Sequence, residues 1–307
     1  MATTSSAHPL ASTLTPEFLA SIVQARLPPN KGEQHNLSDV WTSKSPALDS
    51  EETRSQFWSA LVALSKIPLP EMPDLMSFLP PPSDPDFPEQ CLGLTLLVDQ
   101  GPRLFCRGLD ARWADVFFGA IARQLAHSWF ALPADQRPDS WDRWRAAGAS
   151  FEHWVLAHVF FSCPFVHSEK LEDHEIGLRF TEERRKAAEE RAGEEDPYRK
   201  RRSEILSDAT AFPRVVQAGP PRGEGATTQQ WVFWSGMLMD VHWPIIQKFG
   251  RYPYRNAIQG RESTEEEVKW LDETEHFAEA SSEVAEKVKE DIAAGRWTPL
   301  SETLSPI

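Results

Sequence analysis

Three short stretches hold the side chains of this 307-residue chain that could do chemistry. The densest runs from Asp240 to Glu267 (DVHWPIIQKFGRYPYRNAIQGRESTEEE), where His242, Arg251, Arg255, Asn256 and Arg261 crowd an irregular turn stiffened by Pro253. A second, LLVDQGPRLFCRG at 96–108, displays Asp99, Gln100, Arg103 and Arg107. A third, CPFVHSEKLEDHE at 163–175, carries His167 and Glu169. Arginines hold carboxylate or phosphate through paired hydrogen bonds. A histidine oriented by Asp99 or Glu169 would move a proton near neutral pH. The set predicts proton-transfer chemistry on a small anionic substrate: a lyase, isomerase, cyclisation or hydrolysis reaction. His167, His242, Asp99 and Glu169 are the catalytic candidates, and Gln100, Arg103, Arg107, Arg251, Arg255 and Asn256 the binding ones. The competing reading is that the arginines pair with these carboxylates merely to lock the turns together.

Other chemistries find less support. His167, Glu169, Asp173 and His174 are metal-ligand types, but no HExxH or CxxC frame fixes them, so no metal is expected. Ser168 lacks the G-x-S-x-G elbow of a nucleophile and reads as a helix N-cap. Cys106 stands between Arg103 and Arg107, which would lower its thiol pKa if they approached it. GPPRGEG at 219–225 lacks the GK[ST] of a phosphate loop, and no dinucleotide fingerprint is present, so no cofactor is expected. His158 falls on an apolar face and reads as a hydrogen-bonded core histidine, and His174 as a packing residue.

These residues need helices to position them. Thr15-Pro16 starts one helix, and Ser50 starts another, with Phe57, Leu61 and Leu64 at helical spacing. The proline-laden run Pro68–Pro88 predicts an extended crossover. Glu89–Asp99 is a short apolar helix that Gly101 and Pro102 should terminate. Trp113, Val116, Phe117, Ala120, Ile121 and Leu125 mark an amphipathic helix. Leu132–Ala147 predicts a loop with a short helix. Phe151 to Val159 marks a helix ending at Pro164, and Trp231 to Phe249 one kinked at Pro244 and closed by Gly250. Ser263 with Glu266 predicts a capping box for the next helix. The charge run 180–207 suits a solvated helix, with Arg199–Arg202 an exposed helix or linker, and Pro213–Thr228 a loop. Ser281–Gly295 is a last amphipathic helix. Residues 1–15 read as a flexible tail and 296–307 as a loose end.

A net charge of −14 argues against nucleic acid and anionic membranes as partners. Three scattered cysteines suit a reducing compartment, and no apolar run is long enough to span a bilayer. A cytoplasmic protein is expected. Hydrophobic residues at 40 %, including 12 Trp and 17 Phe, suffice for a ring-packed core.

The three stretches, in this order, resemble the blocks of the DUF924 family. FGRYPYRNAIQGRESTEEE (249–267) is similar to the family's C-terminal signature, FGRFPHRN followed by LGRxSTxEE. LLVDQGPRLFCRG is similar to its LLLDQFPRNxFRG, and CPFVHSEKLEDHE to its MPLxHSExLxDQE. The likeness spans roughly 90 to 280, with 185–230 read as an insertion. It implies an all-α, TPR-like single domain at 16–295, with the Pro-rich N-terminal crossover beside it, and no particular reaction. Gly101 stands where the motif has phenylalanine and Leu104 where it has asparagine. The first should open space beside the cleft, as would suit a specialised biosynthetic member. A TPR-like fold also admits a second reading, a non-catalytic module whose groove binds a peptide or partner protein.

Overall fold

The computed structural model describes residues 8–42, 50–223 and 225–304, and all regular structure among them is helical. The first half builds a platform. It comprises α1 (Pro16–Arg26), α2 (Leu37–Thr42), α3 (Glu51–Ser65), α4 (Phe87–Thr95), α5 (Gly101–Phe105), α6 (Ala111–Trp113) and α7 (Gly119–Phe130). Local chemistry sets the starts. Thr15 Oγ1 accepts from Phe18 N at 3.2 Å with Pro16 in the first turn, and Ser50 caps α3. The proline-rich crossover folds into two 3-10 turns, Leu69–Glu71 and Leu75–Phe78, because prolines forbid a longer ladder.

Gly101 and Pro102 do not end the helix before them. Pro102 has no N–H to offer the Val98 carbonyl, and the chain accommodates it with a π-turn, Leu96–Gln100, closed by Gly101 N–H to Leu96 O. Helix then continues as α5 to Phe105. A second π-turn, Ala114–Phe118, joins α6 to α7.

The second half comprises α8 (Trp141–Ala146), α9 (Phe151–His167), α10 (Leu171–Ala192), α11 (Arg202–Ile205), α12 (Ala211–Ala218), α13 (Thr228–Asp240), α14 (Trp243–Phe249), α15 (Asn256–Gln259), α16 (Glu265–Glu273) and α17 (Ser282–Ala293). The central α9 is buried from Phe151 to Val166 on every side, and packs against α4, α7, α10 and α13. Such burial explains why Pro164 does not stop it: tertiary packing outweighs one missing hydrogen bond. The segment expected as one kinked helix at 231–249 is two, α13 and α14, with Pro244 in the first turn of the second. Gly250 closes α14 at φ 67°, as expected. The capping box of α16 lies one residue later than expected, at Thr264 and Glu267. The stretch expected as loop from Pro213 is helical to Ala218, since proline fits a first turn.

Trp129, Phe161, Phe165 and Phe180 form an edge-to-face cluster in the main core. A smaller core gathers Ile245, Ile246, Tyr252, Trp270 and Leu271. The ends are more ordered than expected. Leu10 and Leu14 are buried, Trp297 packs on Trp113 at 5.4 Å, and Trp58 Nε1 donates to Ser301 O. The remainder of the expected tails, residues 1–7 and 305–307, lies outside the described residues. No helix among the described residues is long and apolar enough to cross a membrane.

The charge run is helical to Ala192, as expected, but it is not solvated throughout. Arg185 is buried and pairs with Asp196 at 2.5 Å, Asp240 at 3.0 Å and Glu182 at 3.1 Å, tying α10 to α13. Arg199 folds back on Glu182 and Glu189, so the first member of the basic cluster is bound within this chain.

The closest helix approach yields a test. A Cβ on Gly93 of α4 would lie 2.3 Å from the Leu19 carbonyl of α1, a backbone atom that cannot swing aside. Gly93→Ala is expected to cost roughly 1–3 kcal/mol by overpacking, read as a lower urea midpoint with unchanged slope.

Candidate functional site

The structure brings the three stretches together around two carboxylates set in the π-turns, Asp99 and Asp115. Asp99 is 1 % exposed and lies 2.9 and 3.0 Å from His167 Nδ1 through its two oxygens. Gln100 Nε2 donates to it at 2.7 Å, and Arg103 Nε stands 3.9 Å away. Asp115 receives Arg103 Nη1 at 2.8 Å and faces Arg255 Nε at 3.2 Å, the latter an ion pair without hydrogen-bond alignment. One carboxylate therefore bridges two guanidiniums.

Arg255, 5 % exposed, joins the blocks. Its Nη1 donates to the His167 carbonyl at 2.8 Å, and its guanidinium lies over the Tyr252 ring at 4.3 Å. Glu169 fixes the same turn from the other side. It takes a forked pair from Arg261 at 2.6 and 3.1 Å and accepts Tyr252 N–H at 3.0 Å. Ser168 does not cap α10. Lys170 holds that position, while Ser168 Oγ accepts Lys170 N–H and donates to Asp173 at 2.5 Å. His167 accordingly ends α9 instead of preceding a cap.

The imidazole tautomer follows from its neighbours. Arg103 Nε lies 3.1 Å from Nδ1, but Nδ1 cannot accept from Arg103 and donate to Asp99 at once. Burial alone would raise the Asp99 pKa. Its contacts with His167, then Arg103 and Gln100, outweigh that and hold it below the usual carboxylate value. An ionised, buried carboxylate needs the donor, so we assign the proton to Nδ1. Nε2 is left with its lone pair and no protein partner among the described residues. Burial first, then the charge on Arg103, lowers the His167 pKa. Both effects favour the neutral ring.

Other candidates sit elsewhere. His242 is buried, donates Nδ1–H to the Leu238 carbonyl at 2.8 Å, and is covered by Phe212 at 4.2 Å between ring centres. Its ring centre is 6.4 Å from that of His167, and burial holds its pKa well below the usual value. Arg251 pairs with Glu267 at 2.6 and 2.7 Å. Asn256 donates to Ser263 at 3.0 Å. Arg107 binds the Arg103 and Cys106 carbonyls at the cleft rim. His158 is the hydrogen-bonded core residue expected, 3.0 Å from Arg184 Nη1, and His174 is buried against the Ser168 carbonyl. The Cys106 thiol is pushed up to about 12 by burial, the reverse of the activation that flanking arginines suggested. Gly101 faces Phe57 and Leu61 in the core, and Leu104 packs there too, so neither alters the cleft.

Sequence reasoning missed Asp115 and Arg123. Arg123 and His127 bind the fully buried Asp173 at 2.5 and 2.6 Å, and Arg123 lines the site beside His167. Both arise from the amphipathic helix pattern. Their signal was a charge between apolar neighbours, which periodicity assigns to solvent.

Two clefts adjoin the network. A smaller one, about 260 Å³, is lined by His167, Asp115, Arg123, Glu169, Lys170 and Arg255 among others. A larger one, about 670 Å³, shares Asp115 and Arg255 and adds Arg103, Arg107 and Tyr254. Among the described residues, two side-chain sets could hold a metal ion: Asp99, Cys163 and His167, and Asp139, His158 and Glu183. Each has an arginine against it, Arg103 on the first and Arg184 and Arg137 on the second, and that charge opposes a dication.

The fold and site define an all-α protein built around a buried Asp–His pair and arginine–carboxylate bridges. The profile of the family described as "Bacterial protein of unknown function (DUF924)" matches residues 27–275, most of the chain, and the protein belongs to that family. Neither curated proteins nor solved structures give a match.

Two tests follow from the electrostatics. Asp115→Asn leaves Arg103 and Arg255 facing each other and should cost about 3 kcal/mol. The double variant with Arg255→Met should recover part of that loss, as chemical denaturation would reveal. Acid should weaken the fold early. The buried His174 titrates at about 4 when folded, mainly through burial, against 6.5 when free. Its folded pKa is lowered, so its contribution is full above pH 6.5 and falls as the unfolded chain takes up the proton. The loss should be on the order of 2 kcal/mol by pH 5. Urea midpoints at pH 7.5 and 5 check this, and equal midpoints refute it.

Proposed function

We propose that the protein is a small-molecule enzyme in which His167, oriented by Asp99, takes a proton from an anionic substrate held by Arg103 and Arg255. The observation that carries this reading is an imidazole in a cleft wall with Nδ1 on a buried carboxylate and Nε2 without a protein partner among the described residues. A carboxylate behind a histidine fixes its tautomer and stabilises the imidazolium formed on proton transfer. The arginines carry compensating charges already, so the substrate anion would use what is left over. Nη2 of Arg103 and of Arg255 have no hydrogen-bond partner among the described residues and are not sealed from solvent. Arg255 lines the smaller cleft together with His167, so an anion on that guanidinium would share the cleft with the base, while Arg103 touches the Nδ1 side of the ring at 3.1 Å. Proton abstraction next to a carboxylate is the step these parts support, as in a lyase, isomerase or cyclase. His242 and Arg251 would act at a distance, by filling and bracing the turn.

The TPR-like arrangement that the family resemblance implies belongs to this proposal. The successive packing of α9 on α10 and α10 on α13 supports it. The three free, buried cysteines support a cytoplasmic setting.

A thermal-shift screen of small carboxylates and phosphates tests the binding step, because a ligand of the folded state raises Tm by mass action. An anion that shifts wild type should still shift His167→Asn and fail with Arg255→Lys, both first checked for folding by circular dichroism. The anions that bind are then held with the protein in deuterated water and followed by proton NMR. Loss of the signal next to the carboxylate with wild type, and at least a hundredfold slower loss with His167→Asn, is expected. Binding without any exchange would favour the non-catalytic module.

A further inference from the structure

The larger cleft is chemically two-sided. Its charged lining is Arg103, Arg107, Asp115 and Arg255, and three of these are joined through Asp115 into one locus. Much of the rest is aliphatic: Ala111, Ala114, Ile258, Ala278, Ala280 and Val284. These come from separate parts of the chain. Ala111 and Ala114 lie on α6 and the π-turn after it, Ile258 on α15, and Val284 on α17. Ala278 and Ala280 belong to the turn between α16 and α17. That turn is strained: Glu275, His276 and Ala278 have φ of 53°, 53° and 60°, and they are the non-glycine residues with positive φ among the described ones. A backbone held in that region is over-determined by its surroundings and is a known mark of ligand-binding walls.

A volume of about 670 Å³ is far more than an inorganic anion fills and falls within the range of small-molecule sites. Water against an aliphatic wall is favourably displaced by hydrocarbon. We propose that this cleft takes a monocarboxylate bearing a hydrocarbon chain, with its head group on Arg103 and Arg255 and its chain along the alanine, isoleucine and valine wall. The proposal rests on the reading of those two arginines as anion holders and adds the class of anion they take; His167 lines the smaller cleft, which this one meets at Asp115 and Arg255.

Calorimetric titration of the full chain with acetate, butyrate, hexanoate and octanoate tests it. The Kd should fall about fourfold per added methylene, the value for burying one such group, until the cleft is full. Val284→Asp and, as a milder change, Ala280→Leu should weaken octanoate at least tenfold while altering butyrate less than threefold. Acetate and octanoate binding with equal affinity would overturn the hydrocarbon assignment and leave the arginine site standing. A series in which no carboxylate binds at any length would overturn both. Equal octanoate affinity in wild type and both wall variants, each verified as folded by its Tm, would place the chain elsewhere and defeat the proposal.

Discussion

Burying a guanidinium without counter-charge and hydrogen-bond acceptors is costly, and Arg255 is the buried cation on which the three blocks converge. Asp115 from a π-turn, the His167 carbonyl from the end of α9, Glu169 from the following link and the Tyr252 ring from its own turn all converge on it. His167 and Glu169 are neighbours, as are Tyr252 and Arg255, but these two pairs and Asp115 lie far apart in sequence. Satisfying one charge therefore forces three chain segments to a common point, and the clefts are what remains open around that point.

The two π-turns supply the network's carboxylates. An extra residue in a helical turn rotates the following side chains, and in both cases the turn holds an aspartate that would otherwise belong to an ordinary helical face. Asp99 meets His167, and Asp115 meets Arg103 and Arg255. The first of these turns has a covalent cause in Pro102. The second has no such residue to account for it. Stability and chemistry are coupled here, because the carboxylate that orients the histidine also offsets the nearby arginine. The buried ion pairs join the turns of the three blocks, the locking arrangement that the residue types also suggested.

Much of the helical content was legible in the chain. Thr15-Pro16, Ser50 and Gly250 act locally, through hydrogen bonds and φ preferences within a few residues, and each terminates its helix as those preferences dictate. The failures share one origin. Pro164, the pair Gly101-Pro102 and Pro213 each read as helix breakers, and each is carried inside helix by its surroundings. Local propensity is worth a few kcal/mol at most, less than the burial of a largely apolar helix such as α9.

The sequence by itself determined the all-helical class, the family, and a pool of charged side chains in three blocks that contains Asp99, Arg103, His167, Glu169 and Arg255. Only the tertiary structure decided how that pool divides. It paired His167 with Asp99 and not Glu169, buried His242 beneath Phe212, sent Arg251 to Glu267, and drew in Asp115 and Arg123. The physical reason is that helix periodicity and capping are set by neighbours along the chain. Charge pairing is set by which side chains of equal chemical fitness the packed helices bring within about 3 Å.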